Sequence, residues 1–339
     1  MKAVRYLGGK KSDIGEVPTP VRKEGEIFIK VMSSALCGSE NSSYRAPEGA
    51  YDSQGGYRLA GHEMSGEVVD PGESSVLSKG DKVVVQIMNG CGKCYYCKQG
   101  TMQFCTDLNY VGGTHAQYVS FPENCVIKAP GDIGYDMLVL LGGDTVGVAF
   151  RATKQLNLPK GQTVYVSGAG PIGLGMVALL KHLGCRVIVS EPSAYRRDYV
   201  QKVCKADIVL DPAGGKLKEE LFAVTDGIGP EITIECSGNP GAQLGALELT
   251  RCKGTVMFCG ENYSPFELVL SNHIIHKELN VKGAFYFTAS DFTEIVKLYR
   301  EGLDVSPLIS HKVPLAKAPE ALADFVAGKT GKVIIHPQE

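Results

Sequence analysis

The pattern of hydrophobic and polar positions changes once along this chain. From the start to about residue 141 the apolar residues come in short alternating runs. Ile27, Ile29 and Val31 share one face of residues 26–31, and residues 68–69, 82–86 and 116–119 read the same way. Turn signals separate these runs: Pro18-Thr19-Pro20, Asp70-Pro71-Gly72 and Lys79-Gly80-Asp81. Few helical periods appear, so a β-rich, barrel-like unit is predicted. After about Asp144 apolar strands alternate with helical stretches. Strands are predicted at 163–167, 186–190, 207–210, 231–236, 254–258 and 279–283, with helices between most of them, such as 171–183 closed by Gly184. Six strands in βα alternation predict an α/β, doubly wound parallel sheet. From Asp291 on, a helix or two and a final strand, Lys332–His336, are expected, with no internal repeat and no low-complexity linker.

Composition narrows this picture. At about 150 residues per domain, 339 residues fit two domains. A chain that is 44% hydrophobic and 21% charged can bury a sizeable core. The balance of 35 Lys+Arg against 37 Asp+Glu leaves a net charge of -2, which gives no electrostatic footprint for nucleic acid and no acidic tail. No apolar run reaches the roughly 18 residues that span a bilayer, and Met1-Lys2-Ala3-Val4-Arg5-Tyr6 lacks the apolar core of a signal peptide. A cytoplasmic protein with no membrane partner is therefore expected.

The 11 cysteines are an odd number without a secretion signal, which argues against a disulfide framework. Cys91, Cys94, Cys97 and Cys105 cluster with the spacing C-x2-C-x2-C-x7-C, enough to close a tetrahedral thiolate shell around zinc. The first three also fit an iron–sulfur run, but that pattern wants its fourth cysteine sooner and a proline after it, whereas Thr106 follows Cys105. Residues between these cysteines show no strand or helix pattern. Cys125, Cys185, Cys204, Cys236, Cys252 and Cys259 sit mostly in apolar runs and read as small core residues.

Strand 163–167 runs into Gly168-Ala169-Gly170-Pro171-Ile172-Gly173, a G-x-G-x-x-G turn that opens a helix. Gly168 suits the tight turn, Gly170 close approach to a pyrophosphate, and Gly173 close helix–strand packing; the helix N-terminus faces the phosphate charge. The next strand ends at Glu191, whose carboxylate suits both ribose hydroxyls of NAD and repels a 2′-phosphate. NAD is therefore expected over NADP. Arg196 and Arg197 are close enough in sequence to offer charge to a cofactor phosphate, or else form a solvated helix face.

Cys37-Gly38-Ser39, Gly61-His62-Glu63, Gly80-Asp81-Lys82-Val83, the four-cysteine lobe, the glycine turn and the terminal strand occur together and in order. In this the whole chain resembles the zinc-dependent medium-chain alcohol dehydrogenases, nearest the polyol, threonine and secondary-alcohol branch. The resemblance implies a GroES-like catalytic domain from residues 1–145 and 286–339, carrying a structural zinc lobe at about 90–106, around an inserted Rossmann domain at 146–285. It implies a catalytic zinc on Cys37, His62 and Asp144, with Glu63 a neighbour that ligates directly in some relatives, and a structural zinc on the four cysteines. Three protein ligands leave one open position, as catalytic zinc requires. Ser39 matches the hydroxyl that starts a proton relay. Ser42 stands where many relatives carry the histidine that ends it, leaving water, Ser43 or Tyr44 to substitute. Glu40 stands where relatives usually carry aspartate and is expected to accept the ring N–H of His62. Tyr44, Arg45, Tyr57, Arg58 and Tyr110 are candidates to line a polar cleft. Tyr286 occupies the position of an arginine in sorbitol-type relatives, which weakens a simple sorbitol assignment.

The expected activity is reversible hydride transfer between NAD and a secondary alcohol: a polyol, cyclitol, sugar derivative or amino alcohol. A homodimer or homotetramer is implied. An alternative is an enzyme that retains NAD and oxidises its substrate only transiently, for a net epimerisation or elimination. A zinc-binding or nucleic-acid-binding module built on the cysteine lobe is opposed by the neutral charge and the second metal set.

Overall fold

The computed structural model describes all residues, 1–339. The chain divides into two units, one of Met1–Gly147, Phe287–Val296 and Ile309–Glu339, the other of Val148–Tyr286 and Lys297–Leu308.

The first unit is built on a seven-stranded sheet. Its path runs Val126–Lys128, Lys82–Val85, Glu63–Asp70, Glu26–Ala35, Lys332–His336, Ile309–Pro314, with Tyr118–Pro122 also pairing Glu26–Ala35. Alternation along Glu26–Ala35 buries Ile27, Ile29 and Val31 against Met64, Val68, Val83 and Phe121. The predicted run at 116–119 starts later, at Tyr118, because Ala116 makes an isolated bridge to Ala3 instead. Two elements escaped the pattern. Helix Tyr135–Leu141 contains the run Leu138 to Leu141, fully buried, so no polar face marks its period. Strand Ile309–Pro314 pairs parallel with the last strand and is half exposed.

Asp136, on that helix, ties three strands together. Its carboxylate accepts from Ser33 Oγ at 2.6 Å, His336 Nε2 at 2.9 Å and Lys312 Nζ at 2.7 Å. Burial opposes the charge, yet these donors hold Asp136 below its ordinary 3.8. A depressed carboxylate stabilises the fold above its unfolded pKa, and the contribution disappears as pH falls through the folded value. Asp136→Asn is therefore expected to cost roughly 2 kcal/mol at pH 7. In urea unfolding the gap from the wild type should narrow towards pH 3.

The second unit holds the six-stranded parallel sheet that the βα alternation predicts. Its order is Ile208–Leu210, Arg186–Ser190, Thr163–Ser167, Ile232–Glu235, Thr255–Phe258, Asn280–Gly283, that is 3-2-1-4-5-6. The helix Pro171–His182 crosses between its first two strands. Continuous apolar strands such as Thr163–Ser167 are buried on both faces, which is why they read as unbroken hydrophobic runs. The C-terminal return does not run wholly with the first unit, as a single boundary near residue 286 implied. Residues Lys297–Leu308 pack with the second, where Pro307 O accepts from Tyr199 Oη at 2.7 Å.

Candidate active site and metal centres

Sheet register assembles the first site. Ala35 pairs with Glu63 on one side and Ile334 on the other, so the end of one strand and the start of the next lie together beside the middle of the last. Cys37 follows the first of these strands and His62 precedes the second. Gly61 adopts φ +94°, and a Cβ there would stand 2.6 Å from both the backbone N and Nδ1 of His115, so only glycine permits this turn. Asp144 opens the helix Asp144–Thr153.

One donor atom from each of Cys37, His62, Glu63 and Asp144 lies within 4.8 Å of the others. The Cys37 thiol donates to Asp144 Oδ2 at 3.3 Å, and His62 Nε2 lies 3.1 Å from the same oxygen. Asp144 Oδ1 is buried with no hydrogen-bond partner. Burial, then the Asp144 carboxylate, pushes the Cys37 thiol up to about 11. Burial opposes charge on His62, but Cys37 and Asp144 raise it well above its ordinary value. A buried thiol, imidazole and two carboxylates carry more negative charge, once deprotonated, than one neighbouring cation offsets. That donor set fits a divalent metal such as zinc, and the orphaned Asp144 oxygen is accounted for by the same fit. Ser39 is exposed, with Oγ 3.4 Å from His62 Nε2, and Ser42 Oγ donates to Ser39 O at 2.9 Å.

Two further residues belong to this site and gave no signal in the sequence. Lys332 is fully buried, and its Nζ donates to both Glu63 oxygens, at 2.7 and 2.8 Å, and to Leu36 O at 2.9 Å. Burial lifts Glu63 to about 7 against the pull of this ammonium, while Glu63 and its neighbours hold Lys332 charged. The second is His115, whose Nε2 lies 3.1 Å from Glu40 Oε1. This corrects the expectation for Glu40: its Oε1 stands 3.9 Å from His62 Nδ1, too far for a hydrogen bond, because the carboxylate is drawn to His115 and to the Cys37 N–H. Tyr44 is also corrected. It is buried in an apolar cluster with Tyr6 and Leu36 and lines no polar cleft; Arg45, Arg58 and Tyr110 are exposed.

The four-cysteine lobe brings its sulfurs within 4.8 Å of one another as well. Contrary to the pattern-free reading of this segment, Tyr95–Lys98 forms a helical turn. Backbone N–H groups surround the thiols: Cys105 Sγ accepts from Cys91 N and Asp107 N, each at 3.3 Å, and the Cys97 N–H leads in lowering Cys94 to about 6. Burial pushes Cys97 up to about 12. Of the other cysteines all are buried except Cys252, which is exposed.

In the second unit Gly168 has φ +98°, and a Cβ on Gly173 would stand 2.0 Å from Gly168 O. Gly170 differs: its φ is -70° and a Cβ would meet nothing within 4 Å. The protein itself therefore places no steric demand for glycine at 170. Pro171 and Ile172 open the helix. Glu191 is buried, with Oε2 accepting from Ala169 N at 2.8 Å and Oε1 from Ser193 N at 2.9 Å. Arg196 and Arg197 are half-buried rather than a solvated face; Arg197 donates to Glu191 O at 2.9 Å and pairs with Asp211 at 2.9 Å.

Known proteins match both units. Residues 23–131 match the alcohol dehydrogenase GroES-like domain and residues 171–301 the zinc-binding dehydrogenase domain. The L-threonine 3-dehydrogenase of Pyrococcus furiosus is 34% identical over 95% of this chain and 94% of its own. The chain belongs to the zinc-type medium-chain dehydrogenases/reductases. It is an enzyme of the zinc alcohol dehydrogenase type, acting on CH–OH groups. The L-threonine 3-dehydrogenase of Coxiella burnetii is 30% identical over 95% of this chain and 94% of its own. Among solved structures, a short chain alcohol dehydrogenase from E. coli CFT073, complexed with NADH, superposes with a TM-score of 0.84 at 26% identity, covering 99% of each chain. The 2R,3R-butanediol dehydrogenase of Bacillus subtilis gives 0.82 at 25% identity, again covering 99% of each. No helix of this family member is long and apolar enough to cross a membrane.

Proposed function

We propose that this dehydrogenase uses NAD and a zinc held by Cys37, His62 and Asp144 to oxidise a secondary alcohol, reversibly, to a ketone. The observation that carries this is the convergence of a buried thiol, an imidazole and a carboxylate around one point, with the Asp144 oxygen otherwise orphaned. Zinc, when bound, supplies Lewis acidity, which lowers an alcohol's pKa and favours negative charge on its oxygen. NAD supplies the hydride acceptor. The chain's own residues do the rest. Ser39, exposed beside His62 Nε2, accepts the hydroxyl proton as its own proton passes to bulk water, and Ser42, bonded to the Ser39 carbonyl, keeps that turn in place. Glu63, both of whose oxygens accept from Lys332, stands next to the metal ligands.

The relatives named L-threonine 3-dehydrogenase favour an amino alcohol as substrate; the named butanediol dehydrogenase keeps plain diols, with polyols, cyclitols and sugar derivatives, beside it. Glu191 favours NAD over NADP, and Arg196, half-buried near the Glu191 carboxylate, is offered as a cofactor contact. Gly170→Ala is expected to leave melting unchanged and to weaken NAD at least tenfold, about 1.4 kcal/mol, as read by NADH fluorescence titration.

The cysteine lobe takes a second, structural zinc. Metal analysis should return about two zinc per chain, as two tetrahedral sites require, and Cys94→Ser should lower the count by about one while destabilising the protein. A homo-oligomer fits the second unit's open edge: all four residues of the edge strand Asn280–Gly283 are exposed, with Leu270, Ile275 and Val281 exposed in and just before it. Light scattering should give a mass of at least two chains.

A further inference from the structure

Behind the metal ligands lies a buried polar wall that the chemistry above leaves without a role. His115 is 1% exposed, deeper than any candidate ligand histidine. Its Nδ1 lies 2.9 Å from Ser34 Oγ, on the strand that leads to Cys37. Its Nε2 lies 3.1 Å from Glu40 Oε1 and 3.4 Å from Oε2. Glu40 in turn accepts the backbone N–H of Cys37 at 3.0 Å and stops 3.9 Å short of His62 Nδ1. The Gly61 turn packs close to the same imidazole, with no room for a Cβ against its Nδ1. The buried Tyr6 phenol feels the Glu40 charge as well.

We propose that His115 is a positioning residue of the metal site. Anchored at Nδ1 by Ser34, it fixes the Glu40 carboxylate through Nε2, and Glu40 thereby holds the Cys37 backbone and sets its own distance from His62. Glu40 Oε1 has no hydrogen-bond partner even with His115 in place; without the Nε2 donor the buried carboxylate is left further under-satisfied and shifts, releasing the Cys37 backbone it holds. The inference rests on reading Cys37, His62 and Asp144 as zinc ligands. Outer partners of this kind are worth about 10–100-fold in metal affinity.

The two amides that imitate one ring nitrogen each make the test. The amide of His115→Gln reaches the place of Nε2 and still donates to Glu40. His115→Asn places its amide near Nδ1, keeps Ser34 and falls short of Glu40. Zinc affinity is read on the full-length enzyme by competition with a chelating indicator, and ligand geometry from the visible absorption of the cobalt(II)-substituted protein. His115→Asn should bind the more labile zinc about tenfold or more weaker and shift the cobalt bands, His115→Gln should stay within about threefold of wild type, and the cysteine-lobe zinc should be unmoved in both. Equal behaviour of the two variants, or no change in either, overturns the proposal. A wild-type chain that takes up only the cysteine-lobe zinc overturns the ligand reading itself, and this proposal with it. Should His115→Asn fail to fold, Ser34→Ala carries the test, since it frees the ring; unaltered zinc affinity and cobalt bands there would again refute the role.

Discussion

His62→Ala is expected to lower turnover by about three orders of magnitude or more while NAD affinity and melting change little. The Lewis acidity lost with the metal is worth several kcal/mol, and about 4 kcal/mol is about a thousandfold in rate. Cofactor affinity should survive because the glycine turn and Glu191 belong to the other unit. Asp144→Ala should behave alike, since Asp144 Oδ2 lies 3.3 Å from the Cys37 sulfur and 3.1 Å from His62 Nε2. Steady-state rates, NADH titration and thermal melting on one preparation check all three parts, with metal content measured alongside. Full turnover in His62→Ala would sink the ligand assignment; activity and cofactor affinity lost together would point to global damage instead.

The largest stability effect is expected at Lys332. Its ammonium is buried and bonded to both oxygens of an equally buried Glu63. Lys332→Met leaves that carboxylate unpaired, and breaking a buried pair from one side costs about 3–5 kcal/mol. Removing both charges is a different matter, because an apolar or neutral pair no longer owes desolvation. Lys332→Met combined with Glu63→Gln should therefore recover most of the loss in urea unfolding, although Glu63→Gln alters the metal site. If the double variant were no more stable than Lys332→Met alone, the pair would not be the source of the effect.

These two residues also show where the sequence stops speaking. Lys332 opens an apolar run that reads as a strand, and it is one; its partner lies 269 residues away, so nothing local marks the pair. Glu40 and His115, 75 residues apart, are the same case, and there the expected partner of Glu40 was wrong because a nearer donor outcompetes His62. Signals that are local in their physics were legible: alternation in Glu26–Ala35, the strand–turn–helix around Gly168 to Gly173, and the cysteine spacing. Helix Tyr135–Leu141 was not, because its run Leu138 to Leu141 is buried all round and leaves no polar face on which periodicity depends. The grouping of Cys37, His62 and Asp144 came from family resemblance, since spacings of 25 and 82 residues carry no geometric meaning until the sheet register brings the strand ends together.

Zinc-dependent oxidation of a secondary alcohol by NAD is read most directly from NADH absorbance on the purified, zinc-loaded enzyme. L-threonine, butane-2,3-diol, polyols, cyclitols and other secondary and amino alcohols are offered with NAD and NADP side by side. NADH should form with one class of secondary alcohol, NAD should be preferred over NADP, and the signal should disappear with a chelator and return with zinc. No NADH from any of them, with zinc and NAD both shown to be bound, would contradict it; substrate conversion without NADH release would instead favour a cycle in which NAD stays on the enzyme.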